Sequence, residues 1–309
     1  MKKQFSRNIP SLSREEQAQL ADRHVLVAGC GGLGSFVVEY LARLGVGKLT
    51  VVDAASLTES DMNRQLFSTC DNLGKSKVFA AEARVKAVNP DVTFRPWPTR
   101  LDAASMVTAV HGKDLVIDAL DNIDDRMLLA DACDQEEVPL IHGSVVGWRA
   151  QVMVVPPGSS SLYRFYKNNV PVQSRSTLPI TEAFCASIQV AEALKLLCGK
   201  PSALRNKVLA MDLKTLEQRI CAPTEVLFPP RTFRITVCPL GAGPQEREVP
   251  ENQTVRDVLG ETLDVEGVYI LYNNTPLHKS NADSVYLDEG DILIVRKGRS
   301  VSRKRRQSD

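Results

Sequence analysis

The amino-acid sequence predicts an α/β protein: a mostly parallel sheet with helices on both faces, followed by a small C-terminal α+β module. Three observations carry that prediction. Short apolar runs alternate with stretches of three- and four-residue apolar spacing through the first two thirds of the chain. A glycine-rich turn joins the first apolar run to the first helical stretch. Beyond Ala222-Pro223 and Pro229-Pro230 the pattern changes to short strands with turn signals between them.

Residues 24–28 form a short apolar run, a buried strand, which ends in Gly29-Cys30-Gly31-Gly32-Leu33-Gly34. Val37, Val38, Leu41 and Leu44 then mark an amphipathic helix closed near Gly45, and residues 49–53 read as a second buried strand. Together these make a βαβ unit, whose crossover is expected to be right-handed. Residues 77–88 are a helical stretch stopped by Asn89-Pro90, followed by strands at 92–95 and 114–118 and a helix at 125–133. Residues 139–142 and 150–155 are further strands. The stretch from Pro156 to Pro179, rich in Pro, Ser and Asn and without a strong period, reads as a long functional loop. Thr181 is placed as the cap of a helix with Phe184, Ile188, Ala191 and Leu194 on one face and Gly199 at its end.

The expected boundaries are a first domain at 1–222, a linker at 223–231, a second domain at 232–298 and a basic tail at 299–309. In the second domain, strands are read at 233–237, 246–249, 268–272 and 292–295. Thr254 caps a helix with Asp257 three residues on, and Asn273-Asn274 and Asp288-Glu289-Gly290-Asp291 signal turns. The formal net charge of +1 hides an asymmetry: the last 14 residues hold seven Lys or Arg and one acid, so residues 1–295 sum to −5. No aromatic residue interleaves the basic tail, which argues for a solvated terminus over nucleic-acid binding.

Several classes are excluded. No apolar run reaches the ~18 residues of a membrane span, and the opening Met1-Lys2-Lys3 leads into a polar stretch through Asp22 instead of a signal core, so a cytoplasmic protein is expected. Seven scattered cysteines, none in a Cys-x-x-Cys pair, argue against a disulfide framework and a structural zinc site.

The chemistry lies at the strand ends. Gly29, Gly31 and Gly34 satisfy Gly-x-Gly-x-x-Gly between a strand and a helix, where free N–H groups and the helix dipole favour a phosphate. Asp53, at the end of the second strand, is placed to take a ribose hydroxyl. This much suits a Rossmann-like nicotinamide oxidoreductase equally well. Ser60-Asp61-Met62-Asn63-Arg64-Gln65, Lys77 and Asp121-Asn122 distinguish the two. Gathered cations and a carboxylate at the same sheet edge suit phosphoryl or nucleotidyl transfer, whose transition state is stabilised by fixed charge and metal.

In these motifs and their order, residues 5–221 resemble the HesA/MoeB/ThiF family of ubiquitin-activating-enzyme-like adenylyltransferases. The resemblance implies that the enzyme binds ATP with Mg and adenylates the C-terminal glycine of a separate ubiquitin-like or sulfur-carrier protein ending in Gly-Gly. It implies that Gly29, Gly31, Gly32 and Gly34 face the phosphates, Asp53 the ribose, and Ser60, Asn63 and Asn122 the nucleotide pocket. Arg64 and Lys77 would hold the phosphates and Asp121 the metal. Arg7, in Phe5-Ser6-Arg7, resembles a segment whose arginine reaches a neighbouring subunit, which implies a homodimer. Molybdenum or tungsten pterin cofactor or thiamine biosynthesis is the implied pathway.

The chain departs from the family in three ways. Asp61 replaces the usual Asn, so it is expected either to turn outward or to weaken ATP binding. The zinc-binding Cys-x-x-Cys pairs of many relatives are missing, and Cys185, the nearest thiol to a reactive loop cysteine, falls inside a helix, where a buried apolar role is expected. The C-terminal module resembles the MoaD/ThiS β-grasp carriers but runs on past its single Gly298. That leaves open a non-catalytic or regulatory carrier-binding scaffold.

Overall fold

A computed structural model describes residues 2–169, 177–225, 227–228, 232–250, 253–287 and 290–297. The expected tail at 299–309, Gly298, Pro229-Pro230, the turn residues Asp288-Glu289 and residues 170–176 of the long loop lie outside them. The chain divides into two compact units, Met1–Leu227 and Phe228–Asp309.

The polar stretch through Asp22 contains a helix that apolar spacing does not announce, α1 (Arg14–Leu20), nucleated by a capping box. The Glu16 amide donates to the Ser13 hydroxyl at 3.1 Å and the Ser13 amide to the Glu16 carboxylate at 2.8 Å. Then come β1 (His24–Ala28), α2 (Gly32–Leu44), β2 (Lys48–Val52), α3 (Lys77–Val88) and β3 (Thr93–Trp97). Helix α2 ends as anticipated, on Gly45 at φ +87°. Next follow α4 (Ala103–Val110), β4 (Leu115–Asp118), α5 (Ile123–Gln135), β5 (Leu140–Val146) and β6 (Arg149–Val155).

The stretch expected to be a long loop contains α6 (Ser161–Asn168), which buries Leu162 and Phe165, three residues apart on one face. Helix α7 (Pro179–Leu197) corrects the expected cap. Leu178 is the N-cap, Pro179 occupies the first turn, where its missing N–H costs nothing, and Thr181 is buried in that turn. Strands β7 (Val208–Asp212) and β8 (Glu217–Cys221) complete the unit.

The sheet order is β3-β2-β1-β4-β5-β6-β7-β8. The first five strands are parallel and the last three are added antiparallel. Alternate residues of the central strands face opposite sides. Val25, Val27, Leu115 and Ile117 pack with α2, α3 and α7 in one core. Leu26 and Val116, fully buried, point the other way. The chain turns to opposite sides of β1 on reaching β2 and β4, so the carboxyl ends of β1 and β4 flank a topological switch point, where ligands of such sheets bind.

The second unit holds β9 (Thr232–Cys238), β10 (Gln245–Pro250), α8 (Val255–Leu259), β11 (Val268–Tyr272), β12 (Thr275–Leu277) and β13 (Ile292–Lys297). Thr254 caps α8 as expected, its hydroxyl accepting from the Asp257 amide at 3.2 Å. The order is β10-β9-β13-β11-β12, so β13 lies between two hairpins, parallel to β9 and antiparallel to β11. Asp291, entering β13, accepts from the Tyr272 hydroxyl and the Asn273 side chain, each at 2.8 Å.

Candidate nucleotide site

The glycine loop is built by backbone proximity. Gly29 adopts φ +94°, a region L side chains rarely enter, and lies against the Ala119 carbonyl at the end of β4. A Cβ on Gly34 would fall well inside van der Waals contact distance of the Gly29 carbonyl oxygen, and 2.8 Å from its carbon. These contacts draw the start of α2 onto the ends of β1 and β4 and leave its first N–H groups facing the sheet edge.

Asp53 fixes this loop. One carboxylate oxygen accepts from the Cys30 amide and the other from the Ala55 amide, both at 2.8 Å. Each oxygen keeps a lone-pair site for a further donor.

The segment after β2 brings the cations in. Arg64 Cγ lies 3.3 Å from the position a Gly32 Cβ would take. The Arg64 guanidinium donates to the Ser60 carbonyl at 2.8 Å and to Asn63 Oδ1 at 2.9 Å. Ser60 and Asn63, expected to face the nucleotide, therefore orient Arg64. Lys77 opens α3, and its side chain is largely buried. Asp61 does not turn outward: it is only 6% exposed. It accepts from the Thr58 amide at 2.9 Å, the Thr58 hydroxyl at 2.8 Å and the Gln65 side chain at 2.5 Å. Its oxygens lie 3.7 Å from Arg64 and 3.9 Å from Lys77. Burial works to raise its pKa, but the Thr58 hydrogen bonds and the two cations outweigh it and hold the carboxyl below its usual value. Asp61 thus bridges the two expected phosphate ligands.

Asp121 is exposed on the loop between β4 and α5. Asn122 next to it caps α5, accepting from the Asp125 amide at 2.8 Å. Arg126, one turn into α5, points inward, with Nε 3.5 Å from Asp118. It also donates to Tyr166 at 2.5 Å and to the Leu120 carbonyl. The Tyr166 hydroxyl meets His142 Nε2 at 3.3 Å, and His142 Nδ1 meets Asp118 at 2.7 Å. Burial holds the His142 pKa below its usual range despite Asp118, so the ring is neutral, donating from Nδ1 and accepting at Nε2. This buried chain ties the Asp121 loop to β5 and α6. Its signal in the sequence is a His inside an apolar strand and a Tyr in a stretch that lacks an obvious period.

Two thiols and one arginine complete the account. Cys185 is fully buried and faces the Gln151 carbonyl at 3.6 Å, and burial raises its pKa far above the thiol range. Cys30, inside the glycine loop, is buried and raised for the same reason. Arg7 is exposed in a 3-10 turn (Lys3–Asn8). The neighbouring Phe5 ring packs against Gly45, at the opposite end of α2 from the glycine loop. Thirteen helical residues, about 20 Å, separate that end from Gly32. The structure does not bring Arg7 to the loop of its own chain.

Glu182 escapes a sequence reading altogether, because an acid in a helix ordinarily faces solvent. Here it is 5% exposed, with Oε1 2.6 Å from the position a Gly32 Cβ would take. Burial pushes its pKa up to about 7, the Thr177 hydroxyl and the Arg64 charge acting the other way.

Comparison with known proteins places this geometry. The ThiF family model matches residues 5–226. The SAMP-activating enzyme E1 of Haloferax volcanii is 34% identical over 217 residues, covering 67% of this chain and 80% of the relative. The molybdopterin-synthase adenylyltransferase of Salmonella typhimurium is 33% identical over 212 residues, covering 66% and 85%. The sulfur carrier protein adenylyltransferase of Thermus thermophilus is 31% identical over 253 residues, covering 78% and 90%. The crystal structure of E. coli MccB with ATP matches in fold, with TM-score 0.62 and 19% identity over 71% of each chain. Across residues 5–226, with its glycine loop, Arg64 and Lys77 at one sheet edge, the chain belongs to the ThiF family.

Proposed function

We propose that this chain is an ATP-dependent adenylyltransferase that activates the C-terminal glycine of a separate ubiquitin-like or sulfur-carrier protein ending in Gly-Gly. The observation that carries the reading is the convergence of Gly32, Arg64 and Lys77 at the switch point, with Asp61 bridging the two cations. A carboxylate oxygen of the carrier attacks the α-phosphorus of ATP. The bond from that phosphorus to the bridging oxygen breaks, pyrophosphate leaves with the electron pair, and an acyl-adenylate remains. Arg64 and Lys77 offset the charge that develops on the phosphate oxygens. Asp53, with lone pairs to spare, takes the ribose hydroxyls, and the exposed Asp121 would hold a magnesium ion brought with the nucleotide, which would supply further positive charge to the phosphates.

Further parts of the reading rest on narrower support. The placement of Phe5 at the far end of α2 supports a role for Arg7 in the site of a second copy, hence a homodimer. The order β10-β9-β13-β11-β12, with a central parallel pair and one short helix, supports a β-grasp carrier-like domain at 232–298, after a linker at 223–231. Pterin-cofactor or thiamine biosynthesis is the pathway class that uses such carriers. The test is ATP–pyrophosphate exchange by the full chain with candidate carriers. Exchange that requires a Gly-Gly end supports the proposal. Absence of exchange with every such carrier, under conditions where ATP binds, overturns it.

A further inference from the structure

Gly32 opens the first turn of a 13-residue helix, where the unpaired N–H groups and the dipole attract an anion. A carboxyl of the protein is already there. Glu182 Oε1 lies 2.6 Å and its carboxyl carbon 2.8 Å from the point a Gly32 Cβ would fill, and Arg64 Cγ approaches the same point to 3.3 Å. Glu182 is held in place: it sits in the first turn of α7, its amide donating to the Leu178 carbonyl at 3.1 Å, and it is 5% exposed. A buried carboxyl thus sits against the glycine needed for phosphate approach and beside the stem of the arginine needed for phosphate charge, whose guanidinium turns to Ser60, Asn63 and Asp61 and acts on Glu182 through its charge.

We propose that Glu182 is a specificity-determining residue of the nucleotide site, competing with the phosphates for Gly32 and Arg64 when ionised and admitting them when neutral. The inference rests on the nucleotide-site reading given above. Among the described residues, the groups facing Glu182 are few. Arg64 lies on the segment after β2, with Asp61 and Lys77 behind it. Thr177 precedes α7, and Cys185 lies one turn along α7, its thiol kept neutral by burial. Asp61, held below its usual pKa, stays charged throughout the neutral range. Glu182 is therefore the member of this group that changes charge near neutrality. If only the neutral form admits the phosphates, apparent affinity scales with its population. With a pKa of about 7, that population is close to complete at pH 6 and about one tenth at pH 8.

The experiment is calorimetric titration of the full chain with ATP between pH 6 and pH 8, in excess magnesium so that the nucleotide's own charge stays constant. Each pH is repeated in two buffers of different ionisation heat. The expected result is a Kd that weakens about tenfold from pH 6 to pH 8, with close to one proton taken up per ATP at pH 8. Glu182→Gln is expected to bind with the pH 6 affinity at both pH values and to take up no proton. Proton uptake by the unaltered chain needs no variant to fold. A flat Kd with no uptake, or an equal slope in Glu182→Gln, overturns the role of Glu182. Arg64→Ala separates the two readings: if it weakens ATP binding while the pH slope is absent, the nucleotide site stands and the Glu182 inference fails. If the unaltered chain binds no ATP at any pH, both fail.

Discussion

Replacing Gly34 by alanine tests the glycine loop at its tightest point. The added methyl would lie 2.8 Å from the Gly29 carbonyl carbon, closer still to its oxygen, and 3.3 Å from Ala119 Cβ. Ordinary carbon contacts begin near 3.5 Å, and the obstacle is backbone on an adjacent strand end, which cannot rotate away. Helix α2 must therefore move off β1 and β4. Overpacking of this kind costs about 1–3 kcal/mol. In a unit of roughly this size each kcal/mol lowers the melting temperature by about 2–4 °C, so Gly34→Ala is expected to melt about 2–12 °C below the parent in scanning calorimetry. The control is Gly31→Ala, two residues from the same contact. Gly31 has an ordinary negative φ of −85°, and a Cβ there meets nothing nearer than the Gln65 side chain at 3.9 Å. It should leave the melting temperature unchanged. Equal melting and equal ATP binding for Gly34→Ala and the parent would refute the packing argument.

Other expectations follow from the buried charges. Arg126→Met leaves Asp118, which has no exposure, facing His142 without its cation, at a cost of about 3–5 kcal/mol by chemical denaturation. Adding Asp118→Asn should recover part of that loss, and simple additivity in the double variant would exclude a coupled pair. Asp61→Asn removes the charge that accepts from Thr58 and Gln65, lowering stability at neutral pH by about 1.5–3 kcal/mol. The Asp61 pKa is depressed in the folded state, so its contribution is complete above the unfolded value and lost as pH falls through the folded one. The stability gap between parent and variant should therefore close in acid; a gap that widens there would reverse the assignment. Cys185→Ala, which removes a buried, un-ionised thiol, should leave pyrophosphate exchange within about twofold, whereas an activity loss of tenfold or more would give the thiol a chemical role.

The glycine loop and its flanking strands were legible because their signals are local: an apolar run, three glycines at fixed offsets, then a period of 3.6. Lys77–Val88 was equally legible from its Asn89-Pro90 stop. What escaped depends on tertiary placement. Helix α6 buries Ser161, Leu162 and Phe165, of which two are apolar, too few to set a period. Helix α1 is the exception, since its signal is local: the Ser13–Glu16 capping box announces it where its apolar residues do not. Within the site, Arg64 and Lys77 could be named from their motif, but the bridging carboxylate of Asp61 could not be oriented without the Thr58 and Gln65 contacts. Ser60 and Asn63 are named as ligands from the same motif, and the structure adds a second part for them, as acceptors that orient the Arg64 guanidinium. Glu182 is more than a hundred residues from the loop it faces, so no local pattern could connect them.

The central claim is that the chain transfers AMP to a terminal carboxylate. Intact-mass measurement of a Gly-Gly carrier after incubation with the full chain, ATP and magnesium tests it most directly. The account predicts a mass gain of one AMP on the carrier. The gain should be absent when the carrier's terminal carboxylate is amidated, and reduced on the order of 10²-fold in rate with Arg64→Ala. An unmodified carrier, or AMP appearing equally on the amidated one, would contradict it.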